Sequence, residues 1–253
     1  MKKLRIIPRL DIKGPNVVKG VHMEGLRVMG DPVEMAKKYY ETGADEMLYM
    51  DIVASLYGRG IDIDLVKAVA KEVYVPLTVG GGIQSARDIR SALHAGADKV
   101  AINSYAVRNP GMLEEAVQTF GSQCIVLSIE AKQNKEGRWE VYTDGGREHS
   151  GRDVVQWAEE ALSCGIGEIL ITSVDFDGTR RGFDAKLIEA VTAIASVPVI
   201  ACGGAGTKET VHEILETQDL DAAAIATPLH YNDYTIQDLK QYLHDNNLPV
   251  RIR

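Results

Sequence analysis

The chain has 253 residues, of which 45% are hydrophobic and 25% charged, and its formal net charge is −8 at pH 7. These values are typical of a globular protein and disfavour a general nucleic-acid binder. No apolar run approaches the roughly 18 residues needed to span a bilayer. The basic start of the chain is interrupted by Pro8, Arg9 and Asp11, so we expect neither a membrane span nor a signal peptide.

Three cysteines are widely spaced and form no C-x-x-C pair. An odd number of unpaired cysteines is typical of a reducing compartment, so we expect a cytoplasmic protein. The six histidines form no ligand-spaced cluster, and we expect no structural metal and no cofactor.

Short apolar runs alternate with helical patterns along the whole chain. Eight runs predict strands, namely Arg5–Asp11, Glu46–Asp51, Val75–Gly80, Asp98–Asn103, Gln123–Glu130, Glu168–Ser173, Val197–Cys202 and Asp221–Ala226. The helical patterns between them begin with capping residues such as Asp31 in "DPVE" and Ser85 in "SARD". No linker of proline and serine interrupts the series, which predicts a single domain over residues 1–253.

Eight βα units in about 250 residues match the usual size of a (β/α)8 TIM barrel, an α/β fold. A doubly wound open sheet is the alternative, but it would place G-x-G-x-x-G after the first strand. The sequence there is "KGPNVVKG", which favours the barrel. After the fifth strand, "KQNKEGRWEVYTDGG" predicts a small hairpin near residues 131–146.

A repeat with a period of about 120 residues relates the two halves of the chain. It pairs Gly81 with Gly203, Asp98 with Asp221, Asp51 with Asp175, and Asp11 with Glu130. A fixed period indicates internal duplication, so we predict two half-barrels of four βα units each.

Glycines follow the third and seventh predicted strands directly, in "LTVGGGI" and "VIACGGAG". In a barrel, the loops after the strands form the active face, and bare backbone amides beside a helix start bind anions. The neighbouring strand ends at 102–104 and 226–228 complete each loop. The alternative is a tight turn that needs positive φ. We predict two phosphate sites across the mouth, suited to a substrate phosphorylated at both ends.

Four acidic residues lie at or just past strand ends on the same rim: Asp11, Asp51, Glu130 and Asp175. Aspartates after strands can also be helix caps or turn formers, but no obvious helix follows Asp11 or Glu130. Paired carboxylates serve as general acid and base where their environments separate their pKa values. Asp11 and Glu130 are therefore predicted to be catalytic.

Motifs along essentially the whole chain resemble the cyclase-subunit family of imidazole glycerol phosphate synthase, among them "RIIPRLDIKGPNVVKG", "GADKVAINS" and "GEILITSVDFDGT". The resemblance implies an enzyme that takes ammonia from a separate glutaminase subunit. The implied substrate is a bisphosphorylated ribulosyl aminoimidazole carboxamide nucleotide, and the product is imidazole glycerol phosphate. The related histidine-pathway isomerase shares the barrel and both phosphate sites, but "FGSQ" and "GEI" favour the cyclase.

The resemblance also implies roles for single residues. Asp11 and Glu130 match the catalytic positions, and Lys19 falls in a mobile loop over the active site. One phosphate site would comprise Gly81, Gly82, Asn103 and Ser104, and the other Gly203, Gly204, Ala226 and Thr227. The remaining predicted substrate-binding residues are Asp51, Asp175 and Gly178.

Four charged residues lie at or just before strand starts, away from the catalytic rim: Arg5, Glu46, Lys99 and Glu168. Each alone can be a solvated charge. Together they can form a ring of ion pairs, and the resemblance implies an ammonia gate at this position. It follows that a glutaminase would dock on the N-terminal face of the barrel, with Asp98 and Gln123 as candidate interface residues.

Two residues depart from the family pattern. Glu130 replaces an aspartate, and a displacement of about 1 Å at a reacting group can cost about 10²-fold in rate. Arg9 replaces a small residue and should face inward with Asp11, because side chains alternate along a strand. We predict that Arg9 pairs with Glu130 inside the barrel and lowers its pKa. The alternative is that Pro8 distorts the strand and turns Arg9 outward.

The departures keep a second function open. Some relatives of this cyclase serve other amidotransfer reactions, such as making acetamidino groups on surface-polysaccharide sugars. Asp11, Lys19 and both glycine loops favour the histidine-type substrate, whereas Arg9 and Glu130 favour a diverged paralogue. A non-catalytic scaffold for a glutaminase is a third class of function.

Overall fold

The computed structural model describes residues 3–252, so residues 1, 2 and 253 of the predicted domain lie outside the described residues. The strands are β1 (Arg5–Lys13), β2 (Asn16–Val21), β3 (Glu24–Gly30), β4 (Met47–Asp51), β5 (Leu77–Gly80), β6 (Lys99–Ile102), β7 (Ile125–Gln133), β8 (Trp139–Thr143), β9 (Glu148–Asp153), β10 (Glu168–Ser173), β11 (Val199–Cys202) and β12 (Ala222–Ile225). The α-helices are α1 (Pro32–Glu41), α2 (Ile63–Ala70), α3 (Ala86–His94), α4 (Ser104–Arg108), α5 (Gly111–Phe120), α6 (Val154–Ser163), α7 (Ala185–Thr192), α8 (Lys208–Thr217), α9 (Thr227–His230) and α10 (Ile236–Asp245). None of the helices within 3–252 is long and apolar enough to cross a membrane.

Eight parallel strands close into a barrel. Their order around the ring is β1, β4, β5, β6, β7, β10, β11 and β12, and β12 returns to pair with β1. Each is one of the eight predicted strands, and helices cover the outside of the ring. The prediction of a (β/α)8 barrel is confirmed.

The barrel strands bury both faces. On β1, Ile7 packs inside the ring with Leu48, Val126 and Leu170, whereas Ile6 belongs to the larger core between the strands and the helices. Because successive side chains of a strand point to opposite faces, Arg5, Ile7, Arg9 and Asp11 all face the barrel interior. Their order along β1 places Asp11 nearest the C-terminal mouth.

Two antiparallel hairpins extend the barrel from opposite strands. β1 continues into β2 and β3, and β7 continues into β8 and β9. The pairing of β7 with β8 lies where the sequence predicted a hairpin. The β2–β3 hairpin was not predicted, because β3 is largely exposed and lacks an apolar alternation. Its turn places His22 and Met23 at positive φ. The pair His-Met is not one of the residue pairs that predict a hairpin turn, such as Asn-Gly.

The strand register corrects one pair of the internal repeat. Asp11 and Glu130 occupy equivalent positions, each paired with the next barrel strand in the chain. The residue after the partner of Asp11 is Asp51, and the residue after the partner of Glu130 is Ser173. The predicted equivalence of Asp51 with Asp175 is therefore wrong, since Asp175 lies two positions too far along the chain.

Asp98 and Asp221 are equivalent in structure, as the repeat predicted. The Asp98 carboxylate accepts a hydrogen bond from the backbone N–H of Leu77 at 2.8 Å, and Asp221 accepts one from Val199 at 2.9 Å. Each aspartate therefore fixes the start of the preceding barrel strand. At least one carboxylate oxygen of Asp98, which the sequence suggested as an interface residue, is therefore used in a hydrogen bond within the barrel.

Candidate active site

Both glycine loops lie at the C-terminal mouth of the barrel, on opposite sides. Gly81 follows β5 and Gly203 follows β11, which are the third and seventh strands of the ring. A Cβ atom at Gly81 would lie 2.1 Å from the carbonyl oxygen of Asp51, and one at Gly203 would lie 2.4 Å from that of Ser173. Both loops thus need glycine for the same close contact, and both also have the positive φ of the tight-turn alternative.

A short helix stands beside each glycine loop. Helix α4 begins at Ser104 and helix α9 at Thr227. The preceding residues, Asn103 and Ala226, make no side-chain cap hydrogen bond. Because no cap side chain occupies the first N–H groups of these helices, those groups suit an anionic ligand.

A cavity connects the first glycine loop with Glu130. The predicted site residues that line it are Asp51, Gly81, Gly82, Asn103, Ser104 and Glu130. The Arg108 side chain also lines this cavity, and Arg59 pairs with Asp51 at 2.7 Å. The structure therefore brings one predicted phosphate loop, two arginines and a candidate catalytic carboxyl group together.

A second cavity lies under the β2–β3 hairpin. It is lined by Lys19 of the hairpin, by Gly178 in the loop after β10, and by Thr227 at the start of α9. Arg27 and Arg180 add two further positive charges to its walls. The excess of cationic side chains suits a negatively charged group.

Arg9 lies inside the barrel, with 1% of its surface exposed. Its Nη1 atom reaches Thr172 Oγ1 at 3.0 Å and Cys202 Sγ at 3.4 Å, on strands across the interior from β1. The alternative that Pro8 turns Arg9 outward is therefore wrong.

The ion-pair partner of Arg9 is also not the predicted one. Within residues 3–252, Arg9 pairs with Asp11, whose Oδ1 atom lies 2.8 Å from the guanidinium Nε, and forms no ion pair with Glu130. The two side chains lie two positions apart on one strand and thus share its inner face. Asp11 is therefore the nearest carboxylate to the guanidinium, and it forms the ion pair in place of Glu130 on another strand.

Asp11 is held from both sides. Lys19 Nζ lies 3.0 Å from Asp11 Oδ2 and 2.7 Å from Asp177 Oδ2. Arg9, Asp11, Lys19 and Asp177 thus form a buried chain of alternating charge. Burial alone would raise the pKa of the Asp11 carboxyl, but Arg9 and Lys19 lower it well below its usual value. Asp11 therefore remains an anion across the neutral pH range.

Asp177 is a site residue that the sequence reasoning missed. The predicted Asp175 is exposed, and its carboxylate accepts a hydrogen bond from the backbone N–H of Gln133 at 2.7 Å. Asp177 instead lies beneath the β2–β3 hairpin, where His22 donates its backbone N–H to the Asp177 carbonyl at 2.8 Å. The two aspartates of "DFDG" look alike in sequence, and only the undetected hairpin distinguishes them.

Glu130 has a different environment from Asp11. Its Oε2 atom accepts a hydrogen bond from the backbone N–H of Gly146 at 2.8 Å. Burial raises the pKa of Glu130 to about 7, against the opposing effects of Arg9 and the Gly146 N–H group. The predicted lowering is wrong, because burial outweighs the effect of Arg9, which pairs with Asp11 instead. Near neutral pH, Glu130 can therefore both accept and donate a proton.

The four charged residues at the opposite end of the barrel form the closed ring of ion pairs that the sequence predicted. Arg5 binds Glu46 and Glu168, each at 2.7 Å. Lys99 binds the same two carboxylates at 3.2 and 2.7 Å. The ring joins β1 and β6 to β10 and the start of β4, at the N-terminal ends of the barrel strands.

A family model described as "Histidine biosynthesis protein" matches residues 5–235. The chain belongs to the histidine biosynthesis protein family. One member, the "Imidazole glycerol phosphate synthase subunit HisF" of Legionella pneumophila, is 57% identical over 83% of this chain and 99% of its own. Members with the same name are 50% identical in Helicobacter hepaticus, over 98% of both chains, and 47% identical in Streptococcus sanguinis, over 100% of both.

Proposed function

We propose that the chain is the ammonia-using cyclase subunit of an imidazole glycerol phosphate synthase. Three relatives with that name cover 83% to 100% of the chain. The observation that carries the proposal is the arrangement of the mouth. Two glycine loops face each other across it, and two carboxyl groups with different pKa values, Asp11 and Glu130, lie between them.

The proposed substrate is a bisphosphorylated ribulosyl aminoimidazole carboxamide nucleotide. One phosphate group would bind at Gly81, Gly82, Asn103 and Ser104, and the other at Gly203, Gly204, Ala226 and Thr227, with Gly178 and Lys19 beside it. Two anion sites on opposite sides of the mouth would hold the reacting part of the substrate over the carboxyl pair.

Proton transfer in this reaction suits the two carboxyl groups. When ammonia attacks a carbonyl carbon, the nitrogen becomes positively charged and loses a proton, while the oxygen later leaves as water. Ionised Glu130 would take that proton and return it to the oxygen, which gives a carbinolamine. A second transfer of the same kind, from the nitrogen to the hydroxyl group, would release water and leave the C=N bond. Asp11, which stays ionised, would stabilise the positive charge that develops on the nitrogen.

A glutaminase subunit is the proposed source of the ammonia. The names of the relatives denote one subunit of a larger synthase. We place the docking surface on the N-terminal face of the barrel, where the ring of Arg5, Glu46, Lys99 and Glu168 would form the inlet. The three free cysteines favour a reducing cytoplasmic setting.

A second acceptor is favoured by one observation. Arg9 fills part of the barrel interior beside Asp11, at a position where the resemblance to the cyclase family implies a small residue. A change at this position alters the charge and the space beside the reacting groups. An amidotransferase subunit of the same family that acts on another acceptor, such as an acetamidino sugar precursor, is therefore the alternative.

The test is to incubate the purified chain with ammonium salt and the bisphosphorylated nucleotide, and to measure imidazole glycerol phosphate by chromatography. We expect product with the wild-type chain and at least about 10²-fold less with Glu130→Gln, because the proton-transfer group is lost. Absence of product from a folded wild-type chain would reject the histidine-type substrate and favour the second acceptor.

A further inference from the structure

Arg9 is the charged side chain that lies deepest in the barrel interior along β1. It occupies the layer between Ile7 and Asp11 on the inner face of the strand, and it is essentially inaccessible to solvent. A guanidinium group in such a place is stable only when its charge is paired and its N–H groups are satisfied. The contacts of the Arg9 guanidinium therefore show which neighbouring side chains it holds in place.

The guanidinium is fixed at two ends. Its Nε atom donates to Asp11 at 2.8 Å, while Nη1 donates to Thr172 at 3.0 Å and contacts the sulfur of Cys202 at 3.4 Å. Because the guanidinium is rigid and planar, contacts at both ends fix its orientation. The Asp11 carboxylate is thereby fixed too, since Lys19 donates to its other oxygen at 3.0 Å.

Glu130 is less constrained. It lines the cavity beside the first glycine loop, and its Oε2 atom accepts a hydrogen bond from the Gly146 N–H group. The charged groups that act on it are Arg9 and Asp11 from β1, and Asp144 from the turn after β8. The positive charge of Arg9, together with the Gly146 N–H group, thus opposes the effects of burial and of two negative neighbours on the Glu130 pKa.

We propose that Arg9 is a positioning residue that holds Asp11 as a fixed anion, so that Glu130 is the carboxyl group that exchanges protons with the substrate. The identity of the substrate rests on the proposed function, whereas the division of roles between the carboxyl groups does not. Arg9 acts through Asp11 and Glu130.

The directions of the pKa shifts support this division. Arg9 and Lys19 together outweigh the effect of burial and lower the pKa of Asp11. Burial prevails at Glu130 and raises its pKa to about 7, although Arg9 opposes the rise. Removing the charge of Arg9 should therefore raise both pKa values.

The first experiment needs no substrate. Carboxyl groups of the full chain are labelled with ¹³C and titrated by NMR in the wild type, Arg9→Gln and Arg9→Lys. We expect Glu130 to titrate near pH 7 in the wild type and about half a pH unit or more higher in Arg9→Gln. Arg9→Lys keeps the charge and should stay closer to the wild type. Asp11 should not titrate between pH 5 and 9 in the wild type.

The second experiment measures ammonia-dependent turnover against pH in the same variants. In Arg9→Gln, the pH midpoint of kcat should rise with the Glu130 pKa. For a rise of about half a pH unit, kcat at pH 7 should fall about twofold with little change in KM, because a smaller fraction of Glu130 is ionised. Arg9→Lys should restore the midpoint. Arg138→Gln is the matched control, because it removes one arginine charge from an exposed ion pair in the β7–β8 turn.

Two results would overturn the proposal: titration of wild-type Asp11 in the neutral range, or an unchanged Glu130 midpoint in Arg9→Gln. If Arg9→Gln does not fold, the wild-type titration of Asp11 still decides. A wild-type chain that gives no cyclised product refutes the proposed function instead, because the carboxyl titrations are measured without substrate.

Discussion

Glu130 makes the stability of the protein depend on pH in an uncommon direction for a carboxyl group. Its folded-state pKa of about 7 lies above the ordinary 4.5. Its contribution to stability is therefore fully present below pH 4.5 and is lost as the pH rises towards 7. Over that range we expect the free energy of unfolding to fall by up to about 3 kcal/mol because of this group. Urea unfolding at several pH values measures the effect.

Glu130→Gln provides the comparison, since the amide does not titrate. The difference in unfolding free energy between wild type and Glu130→Gln should change with pH over this window and level off above it. Glu115→Gln, on an exposed position of α5, should show no such change. Asp11 acts in a separate range, because its lowered pKa makes its stabilisation disappear only below about pH 4. A pH-independent difference for Glu130→Gln would contradict the assignment.

Sequence reasoning at the scale of residues succeeded where the local strand pattern decides the outcome. Alternation along β1 correctly placed Arg9 and Asp11 on the inner face. The choice of ion-pair partner failed, because it depends on distances between side chains from different strands. Glu130 was expected to be the partner, yet the adjacent position on the same face is occupied by Asp11 at 2.8 Å.

Among the elements, the β2–β3 hairpin depends on a close contact with the loop after β10. A Cβ atom at Gly178 would lie 2.2 Å from the carbonyl oxygen of Gly20, and Gly178 has a φ of +76°. Gly178→Ala should push the hairpin away and weaken the contact of Lys19 with Asp177. We expect a loss of about 2 kcal/mol or more in unfolding free energy and faster tryptic cleavage after Lys19 and Arg27.

Gly25→Ala is the matched control for this contact. Gly25 lies in the same hairpin at a φ of +59°, but a Cβ atom there would meet nothing within 4 Å. This substitution should cost only the backbone strain of about 1 kcal/mol and leave the cleavage sites protected. Equal effects of the two substitutions would show that the hairpin does not rely on the contact at Gly178.

Whether a strand could be predicted from the sequence depends on how deeply it is buried. The eight barrel strands are buried on both faces and appear in the sequence as short apolar runs, so each was found. Neither β3 nor β9 contains a buried residue, and nothing in their composition distinguishes them from loops. The hairpin that carries Lys19 and covers Asp177 was missed for this reason, and Asp175 was chosen in place of Asp177.

At the scale of the whole molecule, the ring of ion pairs ties together distant parts of the barrel. Lys99 contacts both Glu46 and Glu168, and its side chain is 19% exposed. Lys99→Met would leave the two largely buried carboxylates with Arg5 alone. We expect the free energy of unfolding to fall by about 2 to 4 kcal/mol in urea denaturation.

Lys37→Met is the comparison for the ring. It breaks the 3.1 Å ion pair with Glu72, in which the Lys37 side chain is 54% exposed. Such a surface pair is screened by solvent and contributes little to stability. If both methionine variants lost the same small amount, the ring would be no more than a set of surface charges.

The architecture of the molecule was predictable because it repeats. Eight similar units and the paired glycine loops identified the barrel and the end that carries the mouth. The equivalence of Asp51 with Asp175 failed because small shifts in loop length change the spacing of residues that follow a strand. Strand register, which keeps Gly81 in step with Gly203, is the more reliable measure of equivalence.

The sulfur atom beside Arg9 gives the molecule an internal reporter. Cys202 is 5% exposed, and burial raises the pKa of its thiol, whereas Cys124 and Cys164 are partly accessible. An alkylating reagent can reach Cys202 only when the strands around it separate. The rate at which this one thiol is modified therefore measures how often the centre of the barrel opens to water, without any added label.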